Sequence, residues 1–173
     1  MNYAVTAIGR DRPGIVAAIS EALLALGGNI DDSQMSILHG HFAVMLVVSV
    51  PAEVGQGELA ERLEAVRERL GLEGLAVSEL DELAGAAVPT HVLTVYGADH
   101  PGIVHAVSKA LAEGGVNITD LRTRRTGEEA PLYVMVIEIA VPGDEDELRK
   151  ALARVGEDAA VDVSLRELSS EAL

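Results

Sequence analysis

The chain of 173 residues has no cysteine and no tryptophan, and one phenylalanine and three tyrosines supply all its aromatic rings. The absence of thiols excludes disulfides, thiolate metal sites and cysteine nucleophiles. With so few rings the core must be built from Ala, Val, Leu and Ile, and at 49% apolar residues these are abundant. Basic residues are also scarce, with 13 Lys and Arg against 28 Asp and Glu and a formal net charge of −15. A field of that sign repels phosphate backbones and anionic lipid, so no direct nucleic-acid or membrane contact is expected. No apolar run approaches the ~18–20 residues of a spanning helix. The start, MNYAVTAIG, has neither the basic nor the apolar region of a signal peptide. A cytoplasmic protein is the expectation.

What the sequence does contain is a repeat. Sliding it by 88 positions aligns DRPGIVAAISEALLALGGNIDD (11–32) with DHPGIVHAVSKALAEGGVNITD (99–120), and 14 of the 24 positions between Gly9 and Asp32 are identical. With three extra residues in the second copy, Pro51 then aligns with Pro142. A unit of about 85 residues is therefore duplicated. Residues 1–83 form the first domain, 84–90 (AGAAVPT) the joint, and 91–173 the second.

Periodicity orders the elements within each unit. Tyr3 to Ile8 and Val92 to Tyr96 read as a buried strand. The following helix carries Ile15, Val16, Ile19, Leu23 and Leu24 (Ile103, Val104, Val107 and Leu111 in the second copy) and stops at glycines. An extended segment from Asn29 or Asn117 turns at His39-Gly40 or within Thr126 to Pro131 and returns as a Val-rich run, which makes a β-hairpin. A second amphipathic helix with Leu59, Leu63, Val66 and Leu70, or Leu148, Leu152 and Val155, precedes a last strand, Leu75 to Leu80 or Val161 to Leu165. The order βαββαβ is the α+β, ferredoxin-like arrangement: a four-stranded antiparallel sheet with two helices on one face. One face or edge of such a sheet needs cover, which a second unit or a second chain can supply.

Chemistry points to the first loop. In GRDRPG and GADHPG, proline suits the first helical position, Asp suits the positive helix end and can cap its amides, and Gly14 or Gly102 lets another molecule approach the backbone. Asn29 and Asn117 begin the second strand, which in a βαβ reading lies beside the first and brings the Asn near the loop. Free amides suit a carboxylate, while an Asn amide and an Asp carboxylate suit an ammonium. Donors beside acceptors fit a zwitterion, so the implied ligand is a small amino acid.

The pattern D-x-P-G-I-V, a helix ending in Gly, and N-I at the second strand resembles the ACT domain, a small-molecule sensing module. The resemblance covers essentially the whole chain as two tandem copies, similar to the glycine cleavage system transcriptional repressor group. It implies ligand binding at an interface between ACT units through Asp11, Pro13, Gly14, Ile15, Asn29 and Ile30, and through Asp99, Pro101, Gly102, Ile103, Asn117 and Ile118. It also implies a homo-oligomer, with a dimer favoured, and a transcription-factor partner in place of DNA itself. His100 replaces Arg12 and lines the second site, where it can make binding pH-dependent. The copies differ further at Ala17 and His105 and at Asp31 and Thr119.

Other candidates read as structural. His39 and His41 flank a turn glycine with no acidic or thiol neighbour, so no metal is expected. LRTRRTG (121–127) reads as a solvated strand and turn. Ser20 and Ser108 lack a recurring base, phosphate-loop glycine patterns are missing, and no cofactor is implied. The leading expectation is a non-catalytic regulator sensing glycine or serine. The alternatives are a ligand-independent adaptor of a transcription factor or a small ferredoxin-like enzyme.

Overall fold

The structure is a computed structural model describing residues 1–80, 85, 87–127 and 132–168. Two of the joint's residues, 84 and 86, and residues 128–131 of the second hairpin turn lie outside the described residues. The chain divides into two units, Met1–Ala84 and Gly85–Leu173.

The first unit runs β1 (Asn2–Arg10), α1 (Ile15–Ala25), β2 (Asn29–Leu38), β3 (His41–Ser49), α2 (Gln56–Leu70) and β4 (Gly74–Leu80). The second repeats it as β5 (His91–Ala98), α3 (Ile103–Glu113), β6 (Asn117–Thr126), β7 (Leu132–Ala140), α4 (Glu145–Asp158) and β8 (Val161–Glu167). Each unit is a four-stranded antiparallel sheet with strand order β2-β3-β1-β4 or β6-β7-β5-β8. This is the ferredoxin-like fold, as the periodicity predicts.

Alternation along the strands selects the helix-covered face. Tyr3, Val5 and Ala7 of β1 join Val44, Leu46 and Val48 of β3, and the cluster is closed by Ile15, Ile19 and Leu23 of α1 and Leu59, Leu63 and Val66 of α2. Leu93, Val95, Met135, Ile137 and Ile139 do the same in the second unit with Ile103, Val107, Leu111, Leu148 and Leu152. Each fully buried aliphatic side chain contributes roughly 1.5–3 kcal/mol relative to exposure. Among the described residues one polar side chain is buried: His91, at the start of β5, meets Thr90 Oγ1 through Nδ1 at 2.8 Å, and its Nε2 lies 3.6 Å from Glu145.

The register corrects one expectation. Asn29 lies opposite Ser49, which lies opposite Asn2, whereas Leu38 lies opposite His41, which lies opposite Arg10. Asn29 therefore sits at the β1 start and the D-x-P-G loop at the β1 end, roughly 26 Å apart at ~3.3 Å per residue. The second unit repeats this, with Asn117 opposite Ala140 and Thr126 opposite Leu132. The reason is topological: α1 returns the chain to the beginning of β1, and β3 occupies the place beside β1 that the βαβ reading gave to β2.

Candidate functional site

The loops after β1 and β5 share an unusual helix entry. Gly14 and Gly102 are the N-cap residues of α1 and α3, in the left-handed region at φ 95° and 101°, and neither helix has a side-chain cap. The first intrahelical bonds run from Ala18 N to Gly14 O and from Ala106 N to Gly102 O, both 2.9 Å. Pro13 and Pro101 thus precede the cap instead of opening the helix, and Asp11 and Asp99 stand three residues upstream of it. A cap side chain reaches amides only two or three positions ahead, so the expected Asp capping does not form. The uncapped first-turn amides keep their donors and the positive end of the helix dipole. A Cβ placed on Gly14 or Gly102 would meet no atom within 4 Å, so both loops are open above the backbone.

In the first unit the Asp11 amide donates to Gly40 O at 2.8 Å, tying the loop to the His39-Gly40 turn. The Asp11 carboxylate has no hydrogen-bond or ion-pair partner among the described residues. A groove of about 700 Å³ starts at Gly14 and follows Ala17, Ser20, Glu21 and Leu24 along α1 to Arg69 and Leu70. Among the described residues no three metal-ligating side chains gather, at His39 and His41 or elsewhere.

The other half of the candidate set lies at the opposite sheet end. Pairing of β2 with β3 shifts between Ile30 and Asp32, so Asp31 is the extra residue of a β-bulge. Bulges re-aim side chains, and Asp31 turns toward its neighbours: Oδ1 accepts from Asn29 Nδ2 at 2.8 Å and from Ser49 Oγ at 3.1 Å. The same bulge falls between Ile118 and Asp120. There Thr119 replaces Asp31 and Ala140 replaces Ser49, and Asn117 has no side-chain partner among the described residues. Ile15 and Ile103 are buried core residues, and Ile30 and Ile118 pack at the core margin, so these four build the frame.

The second loop is bound into its own unit. Arg125 Nε lies 3.2 Å from Asp99 Oδ2. His100 meets the Ala159 carbonyl through Nε2 at 2.7 Å and the Pro101 carbonyl through Nδ1 at 3.1 Å. Two carbonyl acceptors require both ring nitrogens to donate, which only the imidazolium does. The Ala159 bond first and then the Pro101 bond hold His100 above its ordinary pKa; desolvation opposes them and the Asp99 charge adds to them. Tyr133, opposite Arg125 in the sheet, is pushed up by burial and by the Asp99 charge, with a Thr123 hydrogen bond acting the other way. Arg125 is the residue missed in reading LRTRRTG as solvated surface. Its signal was the alignment itself, which sets Arg125 against Ile37 of the first copy.

The chain is thus a tandem of two ferredoxin-like units, each with an open glycine loop at one sheet end and an Asn at the other. The chain belongs to the ACT domain family, whose profiles match residues 4–74 and 91–157. A UPF0237 protein of Methanopyrus kandleri is 41% identical over 76 residues, 43% of this chain and 84% of that protein. The Mycobacterium tuberculosis phosphoserine phosphatase SerB2 is 28% identical over 94% of this chain, which spans only 40% of that protein's length. A solved protein of unknown function from Galdieria sulphuraria superposes with a TM-score of 0.81 at 31% identity, covering 97% of this chain and 98% of that one. A crystal structure provisionally described as a glycine cleavage system transcriptional repressor shares the fold at a TM-score of 0.68 and 16% identity, covering 98% of both chains.

Proposed function

We propose that this chain is a non-catalytic regulatory protein that senses a small amino acid, glycine or serine, at interfaces between ACT units. It acts as an accessory regulator of amino-acid or one-carbon metabolism through a partner protein. The observation that carries this reading is the placement of the paired loop and Asn at opposite ends of each sheet. Uncapped amides and dipole at the loop suit a carboxylate and the loop Asp one side of an ammonium, the Asn supplies the ammonium a second acceptor, and one unit alone cannot bring loop and Asn together on a ligand a few ångströms long. Such a ligand would bind only when a loop of one unit meets the Asn of another, so it would favour the association that builds the pocket by its differential affinity. The named relatives support the ligand class, since one description concerns glycine cleavage and another phosphoserine.

A partner is invoked because a chain of net charge −15 is unsuited to reading DNA itself. Affinity capture with and without glycine should return a transcription factor.

Titration calorimetry on ligand-stripped protein against glycine, serine and the remaining amino acids tests the reading. Saturable heat with glycine or serine, accompanied by a shift in sedimentation coefficient, is expected. No heat from any amino acid overturns it.

A further inference from the structure

Resting on that reading, we infer that the two units are unequal. The first takes the amino acid, with Asp31 and Ser49 as positioning residues for Asn29, and Arg125 closes the second to an ammonium.

Two observations at opposite sheet ends carry this independently. At the Asn end, Asp31 accepts and cannot donate, so the Asn29 group facing it at 2.8 Å must be the NH₂. Fixing that group turns the Asn29 carbonyl oxygen outward as a ready acceptor, with the carboxylate charge behind it. Ser49 holds the same Asp31 oxygen at 3.1 Å and fixes the carboxylate in turn. In the second unit Thr119 lacks the charge and Ala140 lacks the hydroxyl, which leaves Asn117 without an imposed orientation.

At the loop end, Asp11 keeps a carboxylate with no partner among the described residues, whereas Asp99 is neutralised by Arg125 at 3.2 Å. An ammonium approaching Asp99 must displace the guanidinium and meets its repulsion. Ile37, at the position of Arg125, raises no such barrier in the first unit. An exposed ion pair is worth up to about fivefold in an equilibrium, and an oriented, charge-assisted acceptor about tenfold. Acting together they favour the first unit roughly fiftyfold, enough to make one site per chain dominate.

Because loop and Asn29 lie at opposite ends of one sheet, such a site joins the first units of two copies of the chain. Calorimetry with glycine and with serine should give one site per chain. Asp31→Ala should weaken binding about tenfold, with partial rescue by Asp31→Asn, which keeps the acceptor without the charge. Asn29→Ala should abolish binding, and Asn117→Ala should leave it unchanged. The triple change Arg125→Ile, Thr119→Asp and Ala140→Ser should create a second site per chain. Two equal sites in the parent protein, loss of binding in Asn117→Ala, or a triple variant that stays at one site each overturns the inference while leaving the proposed function standing. No heat with any of these proteins overturns the proposed function, and the inference falls with it.

Discussion

A methyl group at Gly14 would touch nothing, yet the position does not tolerate one. At φ 95° the backbone is in the left-handed region, where a Cβ costs roughly 1–2 kcal/mol. Gly14→Ala should therefore lower unfolding free energy in urea by about that much while adding no clash. Gly97 is the opposite case: a Cβ there would lie 2.9 Å from Val161 Cγ1 and 3.2 Å from Val161 Cα. Its substitution acts through packing, at roughly 1–3 kcal/mol. His100 sets a pH dependence whose sign follows from its partners. Its folded pKa is raised, so its stabilising contribution is complete below the ordinary value of 6.5 and is lost as pH rises through the folded value. The urea midpoint of the second unit should fall from about pH 5.5 to about pH 8.5 by more in the parent than in His100→Gln. Equal falls would show that the two carbonyl contacts do not govern the titration.

Among the helix starts, α4 differs from α1 and α3. Asp144 caps it by accepting from Asp146 N at 2.9 Å, and Glu145, Asp146 and Glu147 add charge suited to the dipole. Asp144→Ala should lower the unfolding free energy in urea by about 1 kcal/mol. At Asp11 or Asp99, alanine should cost no capping energy, because neither reaches an amide of its helix. This contrast shows what was legible in the sequence. Period and glycine stops gave element type and order, because burial of Leu59 and Leu63, or Leu148 and Leu152, demands that spacing. They carried no information on strand adjacency, so Asn29 was set beside a loop that lies at the far end of its sheet. The bulge at Asp31 was invisible for a related reason. A one-residue slip in pairing depends on the partner strand, and Ser49 lies eighteen residues further on. Arg125 failed for a third reason, since an arginine on an edge strand reads as solvated until its neighbour is known.

On the scale of the whole chain, the two cores share no residue among those described: the buried side chains of one run from Tyr3 to Leu72, with Leu75 and Val77 packed against them, and those of the other from Leu93 to Leu165. Hydrophobic stabilisation is local to such clusters, so a cavity in one should act on its own unit. Leu63 and Ile137 are both fully buried, and truncating a buried Leu or Ile to Ala costs roughly 2–5 kcal/mol. Leu63→Ala should move one thermal transition and Ile137→Ala the other, which assigns each transition to a unit. Ligand then reports on where it binds, because a molecule that binds only folded protein stabilises by RT ln(1 + [L]/Kd), about 2.7 kcal/mol at a hundredfold excess over Kd. Glycine or serine at that excess should raise the transition that Leu63→Ala lowers and leave the other in place. If both transitions rise equally, the units bind alike and Arg125 does not close the second. If calorimetry shows one transition that both variants displace, the cores are coupled and the assignment by unit fails.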